Sequence, residues 1–203
     1  MCADFVRQNA RLADIGTDHA YLPLWLCLNG TCPSAVAADI NPEPLARGQA
    51  AIKAFNAEKL VSARLSDGLE NIAENEADDF VLAGMGGELI ADILSRQNVT
   101  QKHIIINAMT HPEIARKFLY DNGFEIDKDL IVKDGRRYYS VFDAYYTGEI
   151  MPKSRVDYYL GNIKDFSNKG YFSHLLNYLK NKEKSGKDLS DIINAVEAAY
   201  DNS

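Results

Sequence analysis

The stretch FEIDKDLIVKDGRRYYSVFDAYY, Phe124–Tyr146, contains two strand-like runs that meet at Asp134-Gly135, with no room between them for a crossover helix. Asp-Gly between such runs favours a tight antiparallel hairpin. Upstream, the chain alternates short apolar runs with amphipathic stretches, the rhythm of a parallel sheet covered by helices. The spacing predicts strands at RLADIG, AVAADI, VSARLS, DDFVLAG and KHIIINA, which with the hairpin makes seven. Helices are expected from about Ala20 to Asn29, after Pro42 and Pro44 at a first turn, over GELIADILSRQ, and over HPEIARKFLYDNG, with Asn122-Gly123 as its C-cap.

Five parallel strands ending in an antiparallel hairpin make an α/β topology of the class I methyltransferase kind, a Rossmann-like seven-stranded sheet. A six-strand dinucleotide dehydrogenase has no such hairpin. Beyond Pro152 the strand patterns stop. Tyr171, Leu175, Tyr178 and Leu179, then Leu189, Ile192, Ile193, Val196 and Tyr200, recur at helical spacing on either side of the polar NKEKSGKD. The expected organisation is a ligand-binding domain over residues 1–150 and a C-terminal antiparallel helical extension over 151–203, docked on itself or on the sheet.

Composition narrows the function classes. No apolar run approaches the roughly 20 residues a membrane span needs, and no secretory leader pattern opens the chain, so a soluble cytoplasmic protein is expected. Cys2, Cys27 and Cys32 form no CxxC pair and have no nearby His at ligand spacing, which predicts plain thiols and no metal site. The net charge of -7 is uneven: residues 151–203 hold eight Lys/Arg against seven Asp/Glu, and the excess acid lies in the front part. That balance argues against a nucleic-acid partner unless cations cluster locally.

The turn after the first strand reads DIGTDHAYLP, Asp14–Pro23. A pyrophosphate-binding turn needs GxGxxG, whereas this one has a single glycine, Gly16, ringed by Asp14, Asp18 and His19. Carboxylates repel phosphate and suit a cationic ligand, and S-adenosyl-L-methionine carries an ammonium, a sulfonium and ribose hydroxyls. The second strand ends in Asp39, which can accept from both ribose hydroxyls, and the third is followed by Asp67-Gly68, placed to accept from the adenine amine. A lone acid after a strand is as readily a helix cap; it is the set that points to a ligand. The fourth strand ends in Ala83-Gly84-Met85-Gly86-Gly87, where close backbone approach to a ligand or substrate is expected. The candidate cofactor residues are therefore Asp14, Gly16, Asp39, Ile40, Asp67, Gly68, Gly84, Met85 and Gly86. No Asn/Asp-Pro-Pro-aromatic motif follows this strand, which disfavours an exocyclic amine as methyl acceptor.

The segments RLADIGTDHAYLP, AADINPEPL, LSDGLENI, LAGMGGELIADIL and NGFEIDKDLIVKDGRRYYSVFDAYY together resemble the bacterial tRNA (adenine-22) methyltransferases, the TrmK family. The likeness covers about residues 4–150 closely and the helical tail in character. It implies methyl transfer from S-adenosyl-L-methionine to ring nitrogen 1 of adenine 22 in tRNA. Two departures stand out: the family has a longer helical lead-in before strand one, and Asn107-Ala108 occupies a place where Gln-Pro is expected.

For that reaction Asp18 is the candidate to stabilise positive charge on the methylated adenine, and His19 and Tyr21 are candidates to orient or stack on a flipped base. A locally bonded helix-start role competes for His19, and core packing competes for Tyr21. Asn107, in the segment leaving strand five, is a candidate to bond the base edge, with His111 capping the next helix; a plain strand-to-helix turn is the alternative. Cations for tRNA phosphates are expected from Lys133, Arg136 and Arg137 on the hairpin and from Lys180, Lys182, Lys184 and Lys187 in the tail. The competing functions are a dinucleotide-dependent oxidoreductase, a non-catalytic module that binds S-adenosyl-L-methionine, and a small-molecule methyltransferase.

Overall fold

Seven strands form one sheet in the computed structural model, which describes residues 1–201. They are β1 (Leu12–Ile15), β2 (Ala35–Asp39), β3 (Val61–Leu65), β4 (Asp79–Gly86), β5 (His103–Thr110), β6 (Phe124–Asp134) and β7 (Arg137–Tyr146), in the spatial order β3-β2-β1-β4-β5-β7-β6. The first five run parallel. The chain reverses at Gly135-Arg136, so Asp134 faces Arg137 and β7 inserts antiparallel between β5 and β6. Strand order reverses at β1, which pairs with β2 on one side and β4 on the other; such a switch point opens a crevice at the carboxyl ends of the strands.

Helices cover both faces. Against one pack α1 (Tyr21–Leu28) and α2 (Pro42–Ala54), with Leu24, Leu26 and Ile52 joining Leu12, Val81 and Ile105. Against the other pack α3 (Gly87–Ser95) and α4 (Pro112–Asp121), with Ile90, Leu94 and Leu119 joining Leu82, Ile104 and Ile106. Ile104, Ile105 and Ile106 are all fully buried, as a central strand covered on both sides requires. At roughly 2 kcal/mol per fully buried side chain, such residues dominate the sheet's stability.

Below the sheet, Arg7 donates to Asp79 and Arg11 to Asp78. Buried His103 sits between Asp79 (Nδ1 to Oδ2, 3.2 Å) and Asp143 (Nε2 to Oδ2, 2.9 Å). Strand five extends further than its sequence predicts. Met109 and Thr110 continue β5 because its carboxyl end keeps pairing with β4, across two register shifts, while Asn107 and Ala108 also pair with β7.

The carboxyl-terminal part holds three helices, where the sequence predicts an antiparallel pair: α5 (Arg155–Leu160), α6 (Lys169–Glu183) and α7 (Ser190–Asp201). The short α5 has little apolar periodicity to announce it; its start is set by a capping box between Ser154 and Asp157. Phe172, Leu179, Ile192 and Val196 form a core that includes Ile131 of β6, with Tyr138 of β7 packed against it. Tyr178 departs from the predicted apolar stripe and is exposed. A buried arginine pins this region to the sheet. Arg116 of α4 bonds Asp129 through Nε and Nη2 (2.9 and 3.0 Å), Ser140 Oγ (2.6 Å), and the Tyr158 and Tyr159 carbonyls of α5 (both 3.2 Å).

Candidate functional site

Backbone hydrogen bonds tie three neighbouring strand ends together. Gly16 N and Thr17 N both donate to Ala38 O, at 2.8 and 3.0 Å, and Ser66 N donates to Asp39 O at 2.9 Å. The loops after β1, β2 and β3 thus lie side by side at the carboxyl edge of the sheet. Asp14 and Asp39 are only 7% and 8% exposed, and neither has a cationic partner among the described residues. Burial pushes the Asp14 carboxyl up to about 6, opposed by a hydrogen bond with Thr17 and reinforced by the charge of Asp39. Paired buried acids without a cation are costly. A ligand that brings an ammonium and hydroxyl donors relieves that cost.

The other cofactor candidates are distributed around this pair. Asp39 Oδ1 accepts from Asn41 N at 2.7 Å, which leaves Oδ2 without a partner among the described residues. Ile40, beside it, is 55% exposed, an apolar surface at the crevice edge. Asp67 is less committed to the crevice than Asp39: its carboxylate is half-exposed and lies 3.2 Å from Arg96 Nη1 of the segment after α3. Gly68 follows with φ +57° against Ile93.

Gly16 has φ +78°, and a Cβ placed there would lie 2.3 Å from Met85 Cε. Met85 therefore lies across the β1 turn, closing the gap between β1 and β4. Of the glycines that follow, only Gly84 matches the expectation of open backbone: it is exposed, and a Cβ added to it would meet nothing within 4 Å. Gly86 and Gly87 instead approach the chain itself. A Cβ on Gly87 would sit 2.0 Å from His111 O, and one on Gly86 would sit 3.0 Å from Thr110 Oγ1. These two are small so that α3 can start against the end of β5.

Three acceptor-side candidates, Asp18, His19 and Tyr21, lie where β1 leads into α1. Asp18 is exposed and held by Arg47 of α2, with Nη2 at 2.6 Å and Nε at 3.2 Å, and His19 Nε2 lies 3.2 Å away. The Arg47 hydrogen bonds hold the Asp18 carboxyl below the usual range and so keep it ionised. His19 stacks on Tyr21 with ring centroids 5.1 Å apart and planes 12° from parallel. Tyr21 is 63% exposed, so the core-packing alternative fails: as the first residue of α1 it projects away from the sheet. Ala20, just before it, takes a left-handed conformation (φ +55°), fully buried.

Asn107 is half-buried within β5, paired with Ala83 of β4 and Val141 of β7. His111 stands at the N-cap position of α4 with φ +50°, yet its side chain makes no cap hydrogen bond; it lies 3.1 Å from Glu113 and 3.4 Å from Tyr178 Oη. Among the expected cations, Lys180 pairs with Glu197 at 2.6 Å and Lys182 donates to Tyr178 Oη at 2.7 Å, while Arg136 and Arg137 are exposed with no acidic partner among the described residues. Sequence reasoning did not find Arg47, Arg96 or Thr17. The two arginines come from helical segments distant along the chain, and no local pattern marks them.

Among the described residues no group of three or more His, Cys, Asp or Glu is arranged to hold a metal ion. No helix among them is long and apolar enough to cross a membrane.

A family model described as a methyltransferase domain matches residues 1–142. The chain is 34% identical over 145 residues to the tRNA (adenine(22)-N(1))-methyltransferase of Bacillus subtilis, an alignment that covers 70% of this chain and 61% of that protein. The chain thus matches somewhat under two thirds of this curated relative's length. A Streptococcus pneumoniae structure described as "a putative tRNA (m1A22) methyltransferase, in complex with S-adenosyl-L-methionine" superposes with a TM-score of 0.88 at 26% identity, covering 98% of this chain and 96% of that one. The crystal structure of the B. subtilis m1A22 tRNA methyltransferase TrmK gives a TM-score of 0.82 at 24% identity over 99% of this chain and 92% of its own, which speaks for a common fold.

Proposed function

The chain belongs to the methyltransferase domain family, and from that premise we propose that it transfers a methyl group from S-adenosyl-L-methionine to ring nitrogen 1 of adenine 22 in tRNA. The observation that carries the cofactor assignment is the pair of buried, cation-free acids, Asp14 and Asp39, on loops locked together by backbone hydrogen bonds. The named activity of the B. subtilis relative supports the substrate.

Bound at these strand ends, S-adenosyl-L-methionine supplies an electrophilic methyl group on a sulfonium. Asp14, backed by Thr17, accepts from its ammonium, and Asp39 accepts from its ribose hydroxyls. Ile40 gives the adenine ring an apolar face, and Asp67 with Gly68 borders the adenine amine. Gly16 and Met85 form the floor beneath it, and Gly84 edges the slot toward the acceptor. Asp14, beside a turn with a single glycine, also accounts for the poor fit of a dinucleotide, whose pyrophosphate it would repel.

Ring nitrogen 1 of adenine has a free lone pair at neutral pH, so no base has to uncover it. The protein's task is alignment, and holding the reacting atoms at about 3 to 3.5 Å supplies roughly 7 kcal/mol or more of barrier reduction. Asp18, kept ionised by Arg47, accepts from the exocyclic amine as positive charge develops on the ring. His19, Tyr21 and Asn107 orient the base. The assigned division is a cofactor-binding domain over residues 1–150 and a helical extension over 151–203 that, with the basic hairpin, meets tRNA; the enzyme acts in the cytoplasm.

Incubation with labelled cofactor and two unmodified tRNA transcripts, one with adenine and one with guanine at position 22, tests the assignment. Label is expected in the first alone. Equal labelling of both, or of neither in the presence of cofactor binding, refutes it.

A further inference from the structure

A cavity of about 590 Å³ lies beside the acceptor side of the crevice, between the carboxyl end of β5, the turn of the β6–β7 hairpin, and α6. Its size falls in the range of about 300–1,000 Å³ typical of sites for small ligands. Aromatic rings make its walls. Tyr138 and His174 meet edge to face with centroids 5.8 Å apart, and His111 and Tyr178 do the same at 6.0 Å. Arg136 and Arg137 line it as well, and both are exposed without an acidic partner among the described residues.

The walls are held in position before any ligand arrives. Tyr178 Oη lies 3.4 Å from His111 Nδ1, which brings α6 against the start of α4, and it accepts from Lys182 Nζ of its own helix at 2.7 Å. At the other end, a Cβ on Gly170 would fall 2.0 Å from Tyr138 Oη, so the first turn of α6 rests directly on that ring. The cavity also borders Ala108–Thr110, the continuation of the strand that carries Asn107, and β4 pairs there through Met85 and Gly86.

Exposed rings and unpaired arginines have complementary affinities: a base stacks on the first and a phosphate pairs with the second. Stacking one base on an aromatic side chain is worth about 1–3 kcal/mol, and each arginine that neutralises a phosphate releases counterions. On a protein of net charge -7, this rim is a place where an RNA backbone meets uncompensated positive charge.

We propose that this cavity is a subsite for a nucleotide adjacent to the target adenine and lifted out of the RNA helix with it, its base held among Tyr138, His174, His111 and Tyr178 and its phosphate on Arg136 and Arg137. The proposal rests on the tRNA methyltransferase reading. It makes α6 a wall of the acceptor site, so the helical extension takes part in selecting the nucleotide and does more than add general phosphate affinity.

The test uses the full chain, an unmodified tRNA transcript with adenine at position 22, and the variants Tyr178→Ala, Tyr178→Phe and Arg136→Ala/Arg137→Ala. Tyr178→Ala and the double arginine variant are expected to raise KM for tRNA at least fivefold while the Kd for S-adenosylhomocysteine stays within twofold of the parent. Tyr178→Phe, which keeps the ring, is expected to recover most of the loss seen with alanine. The double variant should also flatten the dependence of log Kd on log salt by about 1 for each phosphate it no longer neutralises. With 2-aminopurine beside position 22, fluorescence should rise on binding to the parent and stay flat with Tyr178→Ala. A KM change under fivefold in both variants overturns the subsite, because exposed Arg136 and Arg137 can be replaced without disturbing the fold. Failure of the parent protein to methylate this tRNA while still binding S-adenosylhomocysteine overturns the underlying function instead.

Discussion

Replacing Asp14 with Asn should stabilise the ligand-free protein and weaken its hold on cofactor. The Asp14 carboxyl is buried beside Asp39, and burial moves it from an ordinary 3.8 to about 6. That displacement corresponds to about 3 kcal/mol of unfavourable free energy for keeping the carboxylate charged in the folded state. The folded protein holds this proton more tightly than the unfolded chain. Rising pH from about 4 to about 6 therefore drains stability, and the loss is complete above pH 6. Asparagine has nearly the same shape and no charge, so Asp14→Asn should gain up to about 3 kcal/mol at pH 8 and little near pH 4. In a domain of this size that is up to roughly 6–12 °C in Tm. The same change removes a charged acceptor for the cofactor ammonium, worth about 1.5–3 kcal/mol, or roughly tenfold to 150-fold in Kd. Urea unfolding of both proteins at pH 4.5 and pH 8, with calorimetric titration of S-adenosylhomocysteine, measures both effects. A variant that is less stable than the parent at pH 8, or one that binds cofactor product equally well, would falsify this account of the strand-end acids.

Arg116→Ala should cost about 3–5 kcal/mol by leaving Asp129 buried and unpaired, with α5 loosening first; urea unfolding gives the size, and hydrogen exchange at Tyr158 and Tyr159 locates it. The double change Arg116→Met/Asp129→Leu should return most of that loss, and no return would mean the arginine acts through more than its charge. Burial disfavours a charged His103, but its hydrogen bond with Asp143 and the nearby Asp79 carboxylate win and hold its pKa above the usual value. Its stabilising contribution is then fully present below about pH 6.5 and fades as pH rises through the folded-state value, so His103→Gln should cost more stability at pH 6 than at pH 9.5. Equal losses at the two pH values would show the imidazole to be neutral throughout. Gly16→Ala must place a side chain at φ +78° against Met85 Cε, and a cost of about 1–2 kcal/mol is expected. Adding Met85→Ala should relieve only the steric part, and a full recovery would assign the whole cost to packing.

The sheet and its acid-bearing edge are legible in the sequence because local chemistry announces them. The hairpin, whose turn at Gly135-Arg136 falls one residue beyond the expected Asp134-Gly135, the apolar run Ile104–Ile106 and the C-cap at Asn122-Gly123 each follow from backbone preference or burial of one segment. Asp14, Gly16 and Asp39 are legible for a related reason: each lies at or near the end of a parallel strand, and such ends converge in any sheet of this topology. Less of the acceptor side is legible. Met109-Thr110 reads as the way out of the strand because the apolar run has ended at Ala108, yet continued pairing with β4 makes it strand. Gly86 and Gly87 read as ligand-facing glycines, yet they make room for His111 and Thr110.

By itself, then, the sequence determined the strand and helix rhythm, the antiparallel ending and the acid-bearing edge, all properties that act within a few residues or repeat along the chain. Only the tertiary structure decided that Arg47 holds Asp18, that Arg116 locks α4 to β6 and α5, and that Tyr178 leaves the helical core to meet His111. Those pairings join residues 13 to 67 positions apart. The physical reason is that a charge or a ring facing outward from its own element has no local preference for a partner; the packing of distant elements brings one within reach.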